Sequence, residues 1–87
     1  MSEPQIRRLR EQIAERDLAI LQAVNARLRL VAELKELKRR EGIDFVDREQ
    51  EEHLLRALDD ANEGPLSPEG VRTLFEELLA LTKRELP

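Results

Sequence analysis

Eighty-seven residues with a mass of 10.1 kDa leave room for one small domain, 1–87, and exclude an enzyme that carries a separate cofactor domain. Charged residues make up 39% and hydrophobic ones 40%, with three Gly and two aromatics, Phe45 and Phe75, a composition that favours helices and argues against an all-β fold. Zero Cys and one His, His53, exclude a disulfide scaffold, thiol catalysis and the ordinary Cys/His zinc sites, and the net charge of −4 gives no global attraction toward nucleic acid or anionic lipid.

The N-terminus, Met1-Ser2-Glu3-Pro4, is polar, and an apolar run such as Leu78-Leu79-Ala80-Leu81 is far shorter than a signal core or a membrane span. A cytoplasmic location is therefore expected, and the lack of Cys fits a reducing compartment. Any anion site has to be built locally.

The chain reads as three helices. From Ile6 onward, positions 6, 10, 13, 17, 20, 24, 27, 31, 34 and 38 are spaced alternately four and three apart, the pattern of a helix with one buried seam. No Gly or Pro interrupts it between Gln5 and Glu41. Pro4 suits a first turn, and Gly42 after the basic Lys38-Arg39-Arg40 marks the end. A second helix is expected to start near Asp44 or Asp47, both potential N-caps, and to carry Leu54, Leu55, Leu58 and Ala61 on one face until Asn62-Glu63-Gly64-Pro65 stops it. Ser67-Pro68, an N-cap followed by Pro at the first helical position, opens a third helix with Val71, Leu74, Phe75, Leu78 and Leu79 inward.

The length of the first helix bears on assembly. Roughly 36 residues at about 1.5 Å each give about 54 Å, whereas a compact monomer of this size has a diameter of only about 30 Å. A helix apolar along its whole seam needs cover that the remaining ~45 residues cannot supply, and a homodimer is the simplest remedy.

The seam holds three cations and one acid among its aliphatics: Ile6, Arg10, Ile13, Asp17, Ile20, Val24, Arg27, Val31, Leu34, Lys38. Taken singly, each cation is explained by a side chain that reaches the edge of the seam or pairs with Asp17 or a Glu. Taken together they allow another reading. Arg27 and Lys38 are 11 residues apart, three turns and about 16 Å along nearly the same face, so that both can reach one ligand. Arg10 lies about 25 Å from Arg27, too far to join them in its own chain. If two first helices cross antiparallel near Leu21, however, Arg10 of one chain falls between Arg27 and Lys38 of the other. Such a pocket of three cations suits a small dianion or dicarboxylate.

The string Ile6, Leu9-Arg10, Ile13, Asp17, Ile20-Leu21, Val24, Arg27, continued by Val31, Leu34 and Lys38, resembles the first helix of the all-helical chorismate mutase family. Asp47-Arg48-Glu49 followed by Leu54-Leu55 is similar to that family's second-helix signature, and Phe75 with Leu78, Leu79 and Thr82 to its third helix. The likeness covers about residues 6 to 84. It implies an all-α, intertwined antiparallel homodimer that converts chorismate to prephenate on the shikimate route to phenylalanine and tyrosine. It further implies that Arg10 of the neighbouring subunit and Arg27 bind the substrate carboxylates, with Arg48 completing the cationic set. Lys38 would donate to the ether oxygen, and Glu49 would hold the ring hydroxyl. No metal and no cofactor is implied. A pericyclic rearrangement needs a flexible dianion held in its reactive conformer, and donors aimed at the oxygen that gains charge as the C–O bond breaks.

Three positions depart from the family pattern. Phe45 stands where the family usually has Asp, so that contact passes to the backbone N–H or is lost. Thr82 replaces the usual Ser. Leu86, with Glu85 beside it and Pro87 after it, stands where the family has Gln or Glu as a second donor to the ether oxygen, and loss of such a donor typically costs about 10²–10³ in rate. Two alternatives stay open: a lyase on the same fold that removes pyruvate from isochorismate, and a weakly active helical module that regulates, or is activated by, another shikimate-pathway enzyme. His53 lies in an acidic stretch and reads as a surface residue. Glu49, Glu51 and Glu52 read as dipole-favouring acids at a helix start rather than a cation site. Lys38-Arg39-Arg40, with no aromatic platform nearby, does not make a nucleic-acid site.

Overall fold

The computed structural model describes residues 2–44 and 48–87; Phe45 and Asp47, both singled out above, lie outside the described residues. Three helices run in chain order, α1 (Glu3–Glu41), α2 (Arg48–Ala61) and α3 (Pro68–Glu85), with no strand among the described residues. None of the helices is long and apolar enough to cross a membrane. Contacts divide the chain into two compact units, Met1–Leu34 and Lys35–Pro87.

The first unit is the larger part of α1. Its start is a capping box: the Ser2 N–H donates to Gln5 Oε1 at 2.9 Å, and the Gln5 N–H donates to Ser2 Oγ at 3.4 Å. Pro4 sits in the first turn, where a missing N–H costs nothing. Residues 2–23 are all exposed, among them Leu9, Ile13, Ile20 (61%) and Leu21, whereas Val24, Arg27, Leu28 and Val31 are half-buried. No residue of α1 is fully buried.

The second unit begins with the last turns of α1. Gly42 takes φ +71° and ends the helix in a Schellman motif, with the Ile43 N–H donating to Lys38 O at 2.9 Å and the Gly42 N–H to Arg39 O at 3.3 Å. The second helix starts at Arg48, directly after Asp47; Asp44, the other expected N-cap, is non-helical and exposed. Asn62 shapes the turn between α2 and α3: its Oδ1 accepts from the Gly64 N–H at 3.0 Å, and its Nδ2 donates to Leu66 O at 2.7 Å. Ser67 Oγ then accepts from the Gly70 N–H at 3.0 Å as the N-cap of α3, with Pro68 at the first helical position as expected. A Cβ at Gly70 would lie 2.5 Å from Leu66 Cδ1, so that a larger residue here would make the exposed Leu66 side chain shift.

The two helices form an antiparallel hairpin. Glu51 near the start of α2 pairs with Lys83 near the end of α3 at 3.3 Å, and Leu55 and Asp59 face Pro68, Val71 and Arg72 across a shallow cleft at the other end. The core of the described residues is small: Leu55, Val71 and Thr82 are buried, with Leu54, Leu58, Phe75, Leu78 and Leu79 half-buried. Two expected inward residues are corrected. Leu74 is 48% exposed, because the buried stripe of α3 runs through 71, 75, 78 and 82, and Leu74 falls on its flank. Ala61, the last residue of α2, is exposed as well.

Candidate active site

Two contacts within the second unit gather the expected site residues. Lys35 Nζ, on α1, donates to Leu86 O at 2.7 Å and also to Pro87 O, which sets the turn of α1 that carries Lys38 against the end of α3. The Glu51–Lys83 pair sets the first turn of α2, which carries Arg48 and Glu49, against the same end of α3. The C-terminal turns of α1 and α3 and the N-terminal turn of α2 thus converge, and Lys38, Arg48, Glu49, Thr82 and Leu86 all belong to these turns. Helix polarity suits the mixture of charges, with the acid at the start of α2 and the cation at the end of α1.

Within the basic triplet the structure gives the two arginines a shared acidic partner. Arg39 and Arg40 both turn to Glu36, at 2.7 and 3.5 Å, and remain about 70% exposed. The hydrogen bond from Arg39 holds the Glu36 carboxyl below the ordinary carboxylate range and raises the Arg39 guanidinium in return. Lys38, in contrast, is half-buried.

Thr82 is buried, and its Oγ1 donates to Leu78 O at 2.7 Å, a bond back into its own helix. Leu86 is half-buried and caps α3: its N–H donates to Thr82 O at 2.9 Å, so that its backbone is tied down at both N–H and carbonyl. Arg48 and Glu49 are exposed in the first turn of α2. Arg10 and Arg27 lie on α1 in the first unit, Arg10 exposed and Arg27 half-buried. His53 is exposed. Among the described residues no group of three or more His, Asp or Glu side chains is placed to hold a metal ion.

Sequence reasoning missed three contacts. The capping box at Ser2 and Gln5 has a local signature, Ser-x-x-Gln, and was legible. The bonds of Lys35 to Leu86 and of Glu51 to Lys83 join residues distant along the chain and left no local signal.

The family described as chorismate mutase type II matches residues 9–85 of this chain. Comparison with curated proteins finds no match. Two solved structures, both of chorismate mutase from Thermus thermophilus, are similar throughout. The form II structure is 31% identical with a TM-score of 0.88, covering 92% of this chain and 91% of that one. The form I structure is 32% identical with a TM-score of 0.87, covering 90% and 98%. The matched span covers α2 and α3 whole and α1 from residue 9 on, and on that ground the chain belongs to the chorismate mutase type II family and is an isomerase of that class.

Proposed function

We propose that this chorismate mutase works as an antiparallel, intertwined homodimer with two equivalent sites, each completed by Arg10 of the other subunit. The observation that carries the site assignment is the convergence of the α1, α2 and α3 turns that hold Lys38, Arg48, Glu49, Thr82 and Leu86. Arg27, Arg48 and the second subunit's Arg10 neutralise the two carboxylates of chorismate, which would otherwise repel each other in the folded conformer. Lys38, a half-buried residue, donates to the ether oxygen as the C–O bond breaks, where a donor drawn partly out of solvent acts through a less screened field. Glu49 accepts from the ring hydroxyl. Thr82 and Leu86 line the pocket. The rearrangement is intramolecular, so that binding in the reactive conformer and charge stabilisation make up the whole catalytic task.

The dimer is supported by the exposed aliphatic side chains of α1, Leu9, Ile13, Ile20 and Leu21. Action without a shikimate-pathway partner is supported by the Leu86 cap, which the chain's own Lys35 and Thr82 hold in place. The Cys-free sequence supports a cytoplasmic setting.

The test is incubation of the purified protein with chorismate and, separately, with isochorismate, with identification of the products. Prephenate from chorismate is expected; release of pyruvate from isochorismate with no prephenate would establish the lyase instead. Lys38→Ala is expected to lower kcat by about 10²–10³ while helicity stays unchanged.

A further inference from the structure

Lys35 has no part in the mechanism above, yet it is half-buried and its Nζ is bound to main-chain oxygens about fifty residues away. A lysine that only solubilises a helix surface keeps its ammonium in water and its stem mobile, since fixing four rotatable bonds costs side-chain entropy. Here the ammonium sits on the carbonyl of Leu86, the C-cap of α3, and on the oxygen of Pro87. The last carbonyls of a helix lack intrahelical partners and carry its negative pole, so a cation there satisfies both a hydrogen-bond and a charge requirement. Lys35 and Lys38 are three residues apart on α1, within one turn and about 4.5 Å along the axis. The anchor of the α3 terminus is therefore next to the residue assigned to the ether oxygen.

We propose that Lys35 is a positioning residue that fastens the C-terminal turn of α3 to α1 and so holds the side chain at position 86 against the substrate beside Lys38. This rests on the site assigned under the proposed function. Without the anchor, Leu86 itself is held by the bond from its N–H to Thr82 O, beyond the Glu51–Lys83 pair, and a helix end that loses such a tie to a neighbouring element frays more readily. A frayed turn removes one wall of the pocket and admits water to the ether oxygen. It also makes any donor placed at position 86 useless, because a donor contributes to the transition state only when its direction is already set.

The test compares Lys35→Met, Lys35→Arg and Leu86→Gln, alone and combined, by hydrogen exchange and by steady-state kinetics with chorismate. Amide exchange at Leu86 is expected to quicken about tenfold or more in Lys35→Met, with Leu55 and Val71 protected as in the parent protein. The same variant is expected to lower kcat about tenfold with a smaller change in KM, and Lys35→Arg to restore most of both. Leu86→Gln is expected to raise kcat about tenfold in the parent protein and to give no gain in the Lys35→Met background. Unchanged exchange at Leu86 in Lys35→Met would overturn the anchor. An undiminished Leu86→Gln gain in that background, or no such gain in the parent protein, would overturn its role in positioning. Should Lys35→Met also expose Leu55 and Val71, Lys35→Gln, which keeps a polar head on a shorter stem, carries the same comparison. Absence of prephenate from the parent protein would instead sink the site assignment, and the exchange measurement would still decide whether Lys35 anchors the turn.

Discussion

The first unit and the α2–α3 hairpin are both made from amphipathic helix, yet one buries nothing fully and the other builds a core. In the hairpin, Leu55 and Val71 are 6% and 4% exposed. In the N-terminal half of α1, Ile13 and Ile20 are 60% and 61% exposed. The chemistry of the side chains is the same in both, so the difference lies in whether a second layer is present. A helix can bury its apolar stripe only against another element, and within its own unit this stretch of α1 has none. Burying the exposed parts of Ile6, Leu9, Ile13, Ile20 and Leu21 would contribute on the order of 5 kcal/mol per chain, comparable with the whole net stability of a small domain. In the proposed dimer, where a second copy supplies that layer, assembly and folding become a single event.

The sharpest way to break this comparison is to make the first region polar. Ile20→Asp is expected to dissociate and unfold the chain together, read as loss of helicity alongside a fall to about 10 kDa by sedimentation equilibrium. A well-folded monomer of the parent chain at micromolar concentration would remove both the dimer and the shared site.

Next in size are the two arginines of the first region. Arg10→Ala and Arg27→Ala should each lower turnover by about 10²–10³ with helicity retained. If Arg10 serves the other subunit, one site of a mixed dimer carries both lesions and the other neither, so mixing the two variants should restore activity. No recovery after verified subunit exchange would refute the shared site.

In the hairpin, Leu55→Ala is expected to cost about 2–5 kcal/mol in stability, measured by denaturant unfolding, because it leaves a cavity in a core with few other buried side chains. The same truncation at Leu74, which is exposed, should be much milder in the isolated chain. Equal losses at the two positions would show that the face of α3 carrying Leu74 is also covered in the assembly.

The smallest effect belongs to Glu36. Its folded carboxyl is held below the ordinary value by Arg39, so what it adds to stability is present above the ordinary carboxylate range and disappears as pH falls through the folded value. The carboxyl is well solvated, and Glu36→Gln should lower Tm only slightly at neutral pH, with the difference gone in acid. A large loss at neutral pH would mean that this cluster is buried in the assembled protein.

Much of the architecture was legible in local patterns. The uninterrupted stretch from Gln5 to Glu41, the stop at Gly42 and the Ser67-Pro68 start each act through contacts within one turn, and the structure places helix ends at all of them. The inward face of α3 was read less well. Leu74, expected inward, is exposed, because a run of apolar residues permits several stripe directions, and packing against α2 selects one of them.

The amino-acid sequence by itself determined where the helices lie, which residues stop and start them at Gly42 and Ser67, and that Arg10, Arg27 and Lys38 share one seam of the first helix. Each of these depends on backbone geometry and side-chain period alone. Only the tertiary structure decided that Lys38 is half-buried, that Glu51 pairs with Lys83, and that Lys35 closes on Leu86. The choice is made by contacts between residues far apart along the chain, 51 positions in the case of Lys35 and Leu86, and such contacts leave no trace in the local pattern.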